Sequence, residues 1–391
     1  MSRSVALYSA VDDMLTRYAV DVDAATLTRM ETIRTPAKVQ YAWPHPTRQY
    51  LYVSTSNGGP RVVSDYNHVS AFAVEPGTGG VLRPLGEPKP LSRRAVHMCV
   101  DPSGRFVLNG HNFPTSGITV HRVGSDGSVG EELDQRGGID YGIYPHQVIV
   151  LPGAPTALIV DRGNHPASGK AEDPGALRTF GFDDGVLTPG HVVAPSGGYG
   201  FGPRHVAFHP TQPWMYVSDE RTNRLYMFRV AHNEIEAQPA FTLDTLADPS
   251  HVAPRQLGGP IHVHANGLWV YVVNRADHTT EVAGQKVFAG GENTIAVYAI
   301  DPDTGAPSLL HHADTHSFHV RTFACDPSGT LLVTASIKAM TVRHGDKAVF
   351  EHAALSVFRI TEHGTLEFVR KYDVETQGAQ LQYWMGMFSV S

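Results

Sequence analysis

The chain has 391 residues, of which 41% are hydrophobic and 18% are charged, a composition typical of a folded globular protein rather than a disordered one. The 31 basic and 38 acidic side chains leave a net charge of −7, which argues against a nucleic-acid-binding protein. Two cysteines exclude a disulfide framework, and the chain has neither an 18-residue apolar run nor a signal-peptide pattern at its start, so we expect a cytoplasmic protein with no membrane partner.

A hairpin repeat recurs along the whole chain. Each copy consists of a short strand, a turn such as Asp-Pro-Ser-Gly, and a second strand rich in Val, Leu and Tyr, which is typical of β-structure. The copies occupy residues 39–57, 96–112, 146–164, 204–220, 261–275 and 321–336. Their turn residues are spaced by about 56 residues on average: Pro46, Pro102, Pro152, Pro210, Ala265 and Pro327. A chain of this length therefore accommodates seven repeats.

Each repeat holds about four strands. Beyond the hairpins, strands are predicted at residues 118–123, 224–230, 294–301 and 355–361. A seventh turn is expected near Tyr383, where too few residues remain for a whole repeat, so strands near the amino terminus must complete it. We therefore predict an all-β, seven-bladed β-propeller with four-stranded antiparallel blades, formed as a single domain by residues 1–391. Strands from the two termini share one blade and close the ring.

Polar residues differ between the copies at two sets of positions, at the start of the first strand and at the end of the second. Because the two strands of a hairpin are antiparallel, both sets lie at the same end of it. Seven hairpins in a ring therefore place both sets around one mouth of the central channel. The predicted site residues are His97, Asn112, His146, Arg162, Arg204, His205, Glu220, Arg275 and Arg321.

Such a mouth suits an anionic small molecule. Arginine guanidinium groups bind carboxylate or phosphate through paired hydrogen bonds. Glu220, as one carboxylate among several cations, is expected to stay ionised and to be available as a base, and histidine titrates near neutral pH. The alternative is that these residues only cap strands or pair across blades. That alternative applies most to Arg162, which follows Asp161, and to Arg321.

The many histidines raise the question of a metal. The chain contains 22 of them, and the spacing of four resembles a ligand set: His311, His312, His316 and His319. Since these four lie between predicted strands, we expect solvated loop histidines instead. An arginine-rich mouth repels a cation, so no metal and no other cofactor is predicted, although the histidines leave a metal site open.

Other patterns are weaker. The glycines of GGYGFGPRH (197–205) are expected to form a turn leading into the Arg204 strand, because no Lys-Ser/Thr pair follows as in a phosphate-binding loop. Cys99 and Cys325 lie within strands and are expected in the core. Segments 163–176 and 276–292 are polar and contain glycine, so they are either lids over the mouth or mobile insertions.

Four segments resemble the seven-bladed lactonase propellers, a family that includes bacterial 6-phosphogluconolactonases of the propeller type and fungal 3-carboxymuconate cyclases. The segments are GPRHVAFHP (202–210), YPHQVIV (144–150), VDPSGRFVL (100–108) and YVVNR (271–275), and the resemblance covers nearly the whole chain. Through the cyclase branch, it implies functional roles for His146, Arg204, Glu220 and Arg275. The positional argument selects the same four residues.

The resemblance implies lactone chemistry on an anionic small molecule, most simply hydrolysis of a sugar-acid lactone by water activated at the mouth. In this hypothesis Arg204 and Arg275 hold the anion and stabilise the developing oxyanion. Either Glu220 or His146 activates the water. The remaining predicted residues bind substrate: His97, Asn112, Arg162, His205 and Arg321.

Two alternatives to hydrolysis stay open. One is a cycloisomerase that closes a lactone on a muconate-like polycarboxylate, which would use the same groups in the opposite direction. The other is a non-catalytic interaction platform, a role that many propellers have. The sequence predicts neither the exact substrate nor the oligomeric state.

Overall fold

The computed structural model describes residues 4–135, 137–231, 234–345 and 347–390. It is an all-β fold of seven antiparallel blades arranged as a propeller, with two further two-stranded hairpins. One short 3₁₀ turn, Pro195–Gly198, interrupts the β-structure. No helix in the described part of the chain is long and apolar enough to cross a membrane. The predicted fold class is confirmed.

The strands follow the blades in chain order, except that blade seven combines both ends of the chain. Its three outer strands come first: β1 (Ser4–Val11), β2 (Met14–Asp21) and β3 (Thr26–Arg34). Blade one contains β4 (Lys38–Pro44), β5 (Tyr50–Ser56), β6 (Asn67–Val74) and β7 (Leu82–Pro90). Blade two contains β8 (Ala95–Val100), β9 (Phe106–His111), β10 (Gly117–Val123) and β11 (Val129–Glu132). Blade three contains β12 (Pro145–Val150), β13 (Thr156–Asp161), β14 (Ala176–Asp183) and β15 (Val186–Val193).

The later blades carry additions. Blade four contains β16 (Pro203–Phe208), β17 (Trp214–Asp219), β18 (Arg224–Ala231), the short β19 (Glu234–Ile235) and β20 (Phe241–Asp244). Blade five contains β21 (Leu257–Val263), β22 (Trp269–Arg275), β25 (Thr294–Ile300) and β26 (Pro307–Asp314), with the hairpin β23 (Thr279–Val282) and β24 (Gln285–Phe288) inserted. Blade six contains β27 (Val320–Cys325), β28 (Leu331–Ser336), β31 (Ala353–Ile360) and β32 (Leu366–Val374), with the hairpin β29 (Met340–His344) and β30 (Lys347–Glu351) inserted. The last strand, β33 (Gln382–Val390), returns to blade seven.

The ring closes through the pairing of β33 with β1. The register runs from Ser4 opposite Val390 to Val11 opposite Gln382, so the carboxyl-terminal strand is the innermost strand of the blade that the amino terminus begins. The predicted sharing of one blade by the two termini is confirmed. The expected turn near Tyr383 is wrong, because Tyr383 lies at the start of this inner strand, at a position equivalent to Arg321.

The core lies between neighbouring blades, because both faces of each middle strand are covered. Along β13, Leu158 and Val160 pack on residues of blade four, whereas Ala157 and Ile159 pack on residues of blade two. Alternate side chains of one strand therefore join two different interfaces, which explains why these strands are apolar on both faces. Cys99 is buried in such an interface and Cys325 is half-buried against another, as expected.

Several of the histidines connect adjacent blades rather than bind a ligand. His45, His209 and His264 each follow an inner strand, and each ring Nε2 lies within 3.0 Å of a turn carbonyl oxygen in the next blade. The acceptors are glycines of the neighbouring turns: Gly104, Gly267 and Gly329. These contacts account for part of the unusual histidine content.

Candidate active site

A β-bulge at the start of each inner strand shapes the mouth of the channel. On β16, Pro203 pairs with Asp219 and His205 with Ser218, so Arg204 is the extra residue of the bulge. Equivalent register shifts fall at Gln40, Val96, His146, Arg321 and Tyr383, and at Gly259 and Pro260 of blade five. A bulge redirects side chains at the end of a strand. The first set of positions selected from the sequence is therefore a ring of bulges.

Glu220 is the centre of the site. Its Oε1 accepts a hydrogen bond from Arg162 Nη1 at 2.5 Å. Its Oε2 accepts one from Arg204 Nε at 2.9 Å and one from Arg275 Nη2 at 2.6 Å. Three guanidinium groups thus converge on one buried carboxylate, and charge-assisted contacts of this kind are among the stronger hydrogen bonds in proteins.

Three consecutive blades supply this cluster. Arg162 and Glu220 directly follow the second strands of blades three and four, and Arg275 is the last residue of the second strand of blade five. Arg204 enters from the inner strand of blade four. Gly258 allows the close approach of blade five to blade four, because a Cβ there would lie 2.1 Å from the carbonyl oxygen of Asp219. The carbonyl of Gly258 also accepts a hydrogen bond from Arg275 Nε at 3.2 Å.

The charges of the cluster keep Glu220 ionised. Burial alone would raise the pKa of its carboxyl group, but the charges of the three arginines outweigh burial and hold the pKa well below its usual range. Three positive charges and one negative charge leave the cluster net cationic. It is therefore suited to a ligand that brings negative charge.

Three predicted histidines pack edge to face within the channel next to Arg204. The ring centroids of His146 and His205 are 5.1 Å apart, and those of His97 and His205 are 5.6 Å apart. Arg204 Nη1 lies 3.2 Å from Nδ1 of His205. Burial, followed by the charge of Arg204, holds the pKa of all three imidazoles well below its ordinary value, so they are neutral at pH 7.

Arg321 and Asn112 belong to a second group at the same mouth, around Tyr383. The guanidinium carbon of Arg321 lies 3.6 Å from the centroid of the Tyr383 ring, and Arg321 Nε donates to the Tyr383 carbonyl at 2.9 Å. The Asn112 side-chain oxygen accepts a hydrogen bond from Arg94 Nη2 at 3.3 Å. Arg94 and Tyr383 were absent from the sequence-based set. Tyr383 was missed because the seventh turn was misplaced, and Arg94 because it precedes the positions that were compared.

A cavity of about 850 Å³ opens beside the cluster. Of the predicted residues, Asn112, Arg162 and Glu220 line it, while Arg204 and Arg275 are buried against Glu220. His205 lines a separate cavity of about 300 Å³. Further cations on its walls are Arg61, Lys170 and Arg255. A cavity of this size holds a small molecule, and cations outnumber carboxylates on its walls.

The two segments considered as lids differ in their relation to this cavity. Asn164, His165, Pro166, Ala167 and Lys170 of segment 163–176 line it, so this segment forms one of its walls. Segment 276–292 instead contains the hairpin β23–β24, and its Phe288, Gly291 and Glu292 line a separate cavity. The GGYGFGPRH segment forms the expected turn before β16.

The expectation for the four clustered histidines is largely wrong. His311 and His312 are half-buried within β26, and only His316 is an exposed residue between strands. His319 is buried behind the site, with its Nε2 3.0 Å from Arg275 Nη1. Its other ring nitrogen lies 3.7 Å from Asp277, which is paired with Arg255 and Lys338. His319 thus extends the Glu220 cluster. Within the described ranges, no three His, Cys, Asp or Glu side chains are grouped to hold a metal ion.

The chain is similar in sequence and in fold to known lactonases. The family model described as lactonase, 7-bladed beta-propeller, matches residues 5–345. The 6-phosphogluconolactonase of Bacillus subtilis (strain 168) is 27% identical over 292 residues, 70% of this chain and 76% of that protein. The 6-phosphogluconolactonase of Yersinia pestis (strain Pestoides F) is 24% identical, covering 94% of this chain and 95% of its own. The structure of a periplasmic gluconolactonase from Pseudomonas aeruginosa superimposes with a TM-score of 0.71 at 17% identity, covering 99% of this chain and 100% of that chain.

Proposed function

Because the chain belongs to the lactonase family of seven-bladed β-propellers, we propose that it hydrolyses the lactone of an anionic sugar acid at the Glu220 cluster. The observation that carries this proposal is the convergence of Arg162, Arg204 and Arg275 on one buried carboxylate beside a small-molecule cavity. Two relatives are named 6-phosphogluconolactonase, which supports a phosphorylated sugar-acid lactone as the substrate.

The arginines supply the electrostatic part of the reaction. Water attack on a lactone carbonyl places negative charge on the carbonyl oxygen, and guanidinium groups already fixed in place stabilise that charge. Glu220 fixes Arg204 and Arg275 from one side through its Oε2. In this role Glu220 orients the guanidinium groups, so their donors need no rearrangement as the transition state forms.

His146 is the better candidate for activating water. Glu220 already accepts three charge-assisted hydrogen bonds, which occupy both of its oxygens. His146 is neutral, and its Nδ1 is buried without a hydrogen-bond partner in the described part of the chain. Burial lowers the pKa of His146 most, and the charges of the nearby arginines lower it further. An anionic substrate that offsets those charges would therefore raise the basicity of His146 on binding.

The cations on the cavity walls would hold the anionic group of the substrate. In the described part of the chain, Arg61 hydrogen-bonds a neutral amide oxygen, that of Asn164, at 3.1 Å, and Arg162 extends over the ring of Tyr144 at 4.3 Å. Phosphate is bound well by such guanidinium groups. Hydrolysis by water needs no further co-substrate.

The proposal is tested by the release of protons as lactones open. Freshly prepared 6-phosphogluconolactone would be added to the purified protein in a weakly buffered solution, and the rate would be compared with the spontaneous rate. We expect catalysis by the wild type and a loss on the order of 10²–10⁴-fold in kcat for His146→Gln. A His146→Gln variant that is folded and fully active would remove His146 from the reaction, and a wild type that accelerates no lactone would refute the proposed function.

A further inference from the structure

The mouth of the channel buries more positive charge than the Glu220 cluster explains. Four arginines there are almost inaccessible: Arg94 is 2% exposed, Arg204 1%, Arg275 4% and Arg321 7%. Glu220 pairs with Arg204 and Arg275 and with the less buried Arg162. In the ranges that the structure describes, no carboxylate lies within 4.0 Å of Arg94 or Arg321.

The partners of these two arginines are neutral. Arg94 donates to the side-chain oxygens of Gln40 at 2.9 Å and Asn112 at 3.3 Å, and its Nε, although buried, has no partner among the described residues. Arg321 donates to a backbone carbonyl and stacks on the ring of Tyr383. Amide oxygens and an aromatic face satisfy part of the hydrogen bonding but carry no countercharge.

Two acids at the mouth ends of the second strands of blades three and five are already engaged elsewhere. Asp161 accepts backbone hydrogen bonds from Ile143 and Tyr144 and pairs with Arg178. Asp277 pairs with Arg255 and Lys338. Two buried guanidinium groups therefore share one small region of the mouth without a carboxylate of their own.

The phenol of Tyr383 reports the resulting potential. Burial alone would raise its pKa, but the charges of Arg321 and Arg94 outweigh burial and hold the pKa below its ordinary value. Tyr383 is the bulge residue of β33 and Arg321 that of β27, so their backbones hold the two side chains in place. The region is built to stabilise negative charge.

We propose that Arg94 and Arg321 form a second anion subsite beside Tyr383, which binds a carboxylate or phosphate group of the ligand whose other end lies at the Glu220 cluster. Unpaired buried charges are costly, and a ligand anion removes that cost. The subsite is adjacent to the cavity, because Asn112 lines the cavity and accepts a hydrogen bond from Arg94.

Two anion sites specify the class of ligand. A phosphorylated sugar-acid lactone carries one anionic group, and its hydrolysis creates a second, the carboxylate of the open acid. We infer that the best ligand carries a phosphate and a carboxylate at opposite ends. This inference rests on the proposed function only for the choice of ligand, since the unpaired arginines are a property of the protein itself.

The test compares variants that remove one unpaired arginine with a variant that removes a paired one. Arg94→Met and Arg321→Met delete unpaired charges, whereas Arg17→Met deletes a buried arginine that pairs with Glu31 on the outermost strand of blade seven. Thermal unfolding would be followed without ligand. Binding of 6-phosphogluconate, gluconate and inorganic phosphate would be measured by calorimetry.

We expect Arg94→Met and Arg321→Met to raise the melting temperature of the ligand-free protein by several degrees and to weaken 6-phosphogluconate binding at least tenfold. Arg17→Met should lower the melting temperature and leave the affinity unchanged. If Arg321→Met weakens the binding of gluconate, the subsite takes a carboxylate. If it weakens the binding of inorganic phosphate, the subsite takes a phosphate. Unchanged affinity in Arg94→Met and Arg321→Met would overturn the subsite.

A second measurement uses the wild type, so it tests the subsite even if the arginine variants fail to fold. An anion between the two arginines offsets their charges and raises the pKa of Tyr383, so 6-phosphogluconate should lower the phenolate absorbance near 295 nm at alkaline pH. The change should be missing in Tyr383→Phe, and no change in the wild type would contradict the subsite.

The lactone assay separates the proposed subsite from the proposed function. Hydrolysis by a wild type whose ligand affinity is insensitive to Arg94 and Arg321 refutes the subsite alone, and sensitive binding without hydrolysis refutes the proposed function alone.

Discussion

Arg204 donates its Nε hydrogen to Glu220 Oε2 across 2.9 Å, which joins the bulge of the inner strand of blade four to the end of the next strand. The two residues are 16 positions apart, and both are almost completely buried. Arg162 and Arg275 reach the same carboxylate from the two neighbouring blades. A single side chain therefore fixes the relative positions of three blades at the mouth.

Replacing Glu220 should affect stability and activity together. Glu220→Gln leaves three guanidinium groups facing a neutral amide, and breaking a buried ion pair typically costs about 3–5 kcal/mol of folding free energy. We expect a clear fall in the free energy of unfolding measured with urea. Lactone hydrolysis should also fall on the order of 10²-fold at a temperature where the variant is folded, because the arginines that we propose to bind the oxyanion lose their orientation.

The matched control is Glu131→Gln, which removes the carboxylate of an exposed pair with Lys89 at the outer edge of blade two. Exposed pairs contribute about 0–1 kcal/mol, so the control should resemble the wild type in both measurements. Equal stability of Glu220→Gln and Glu131→Gln would show that the cluster does not hold the blades together.

Arg162 is expected to act mainly in substrate binding, because it is the arginine of the cluster that lines the cavity. Arg162→Lys keeps the positive charge but loses the paired donors and the stacking on Tyr144. We expect KM for an anionic lactone to rise about tenfold, equivalent to about 1.4 kcal/mol, with a smaller change in kcat. Arg122→Lys, on the exposed pair with Asp184, is the control. A loss confined to kcat would contradict a binding role.

The sequence predicted the fold more completely than the site. The turn spacing gave seven blades and the shared blade, because each hairpin keeps its register through a regular alternation of buried side chains. The same spacing placed Arg162, Arg204, Glu220 and Arg275 at one mouth, where their side chains do meet.

The errors have specific physical causes. The interval between the bulges at Arg321 and Tyr383 is longer than the average repeat, because blade six contains the inserted hairpin β29–β30, so the last turn was misplaced. His319 was expected in solvent because it precedes a strand, yet the end of that connection is buried against Arg275. Packing between blades decides such positions, and a repeat spacing does not contain that information.

The stability of the protein should fall steeply in mild acid. In the folded state the pKa values of His97, His146 and His205 are held well below about 6.5, the ordinary value expected in the unfolded chain. As the pH falls through about 6.5, the unfolded chain therefore takes up protons that the folded protein excludes, and stability present above that pH is lost.

Each such histidine contributes a slope of up to about 1.4 kcal/mol per pH unit below about pH 6.5. Urea unfolding between pH 7.5 and 5.5 measures the total, and His205→Gln should reduce the slope by one histidine. His363→Gln, at an exposed position, should leave it unchanged. A wild-type stability that does not change over this range would mean that the three histidines are hydrated or already protonated.

Closure of the ring should be essential for cooperative folding. β33 places Trp384, Met385 and Phe388 in the core, so a chain shortened after Gln380 leaves blade seven without its inner strand. We expect the shortened protein to lose its single sharp thermal transition. A circular permutant that joins the original ends and opens the exposed turn at Gly153 retains every strand pair, and it should unfold cooperatively. Cooperative unfolding of the shortened chain would show that six blades suffice.

We propose that the arginine cluster selects lactones by their negative charge. This selectivity is measured as the ratio of wild-type kcat/KM for 6-phosphogluconolactone to that for uncharged gluconolactone, determined by proton release under identical conditions. Two or more guanidinium contacts to the phosphate predict a ratio on the order of 100 that falls as salt concentration rises. A ratio near one at low salt would contradict the claim, because the cluster would then take no part in recognising the charge of the substrate.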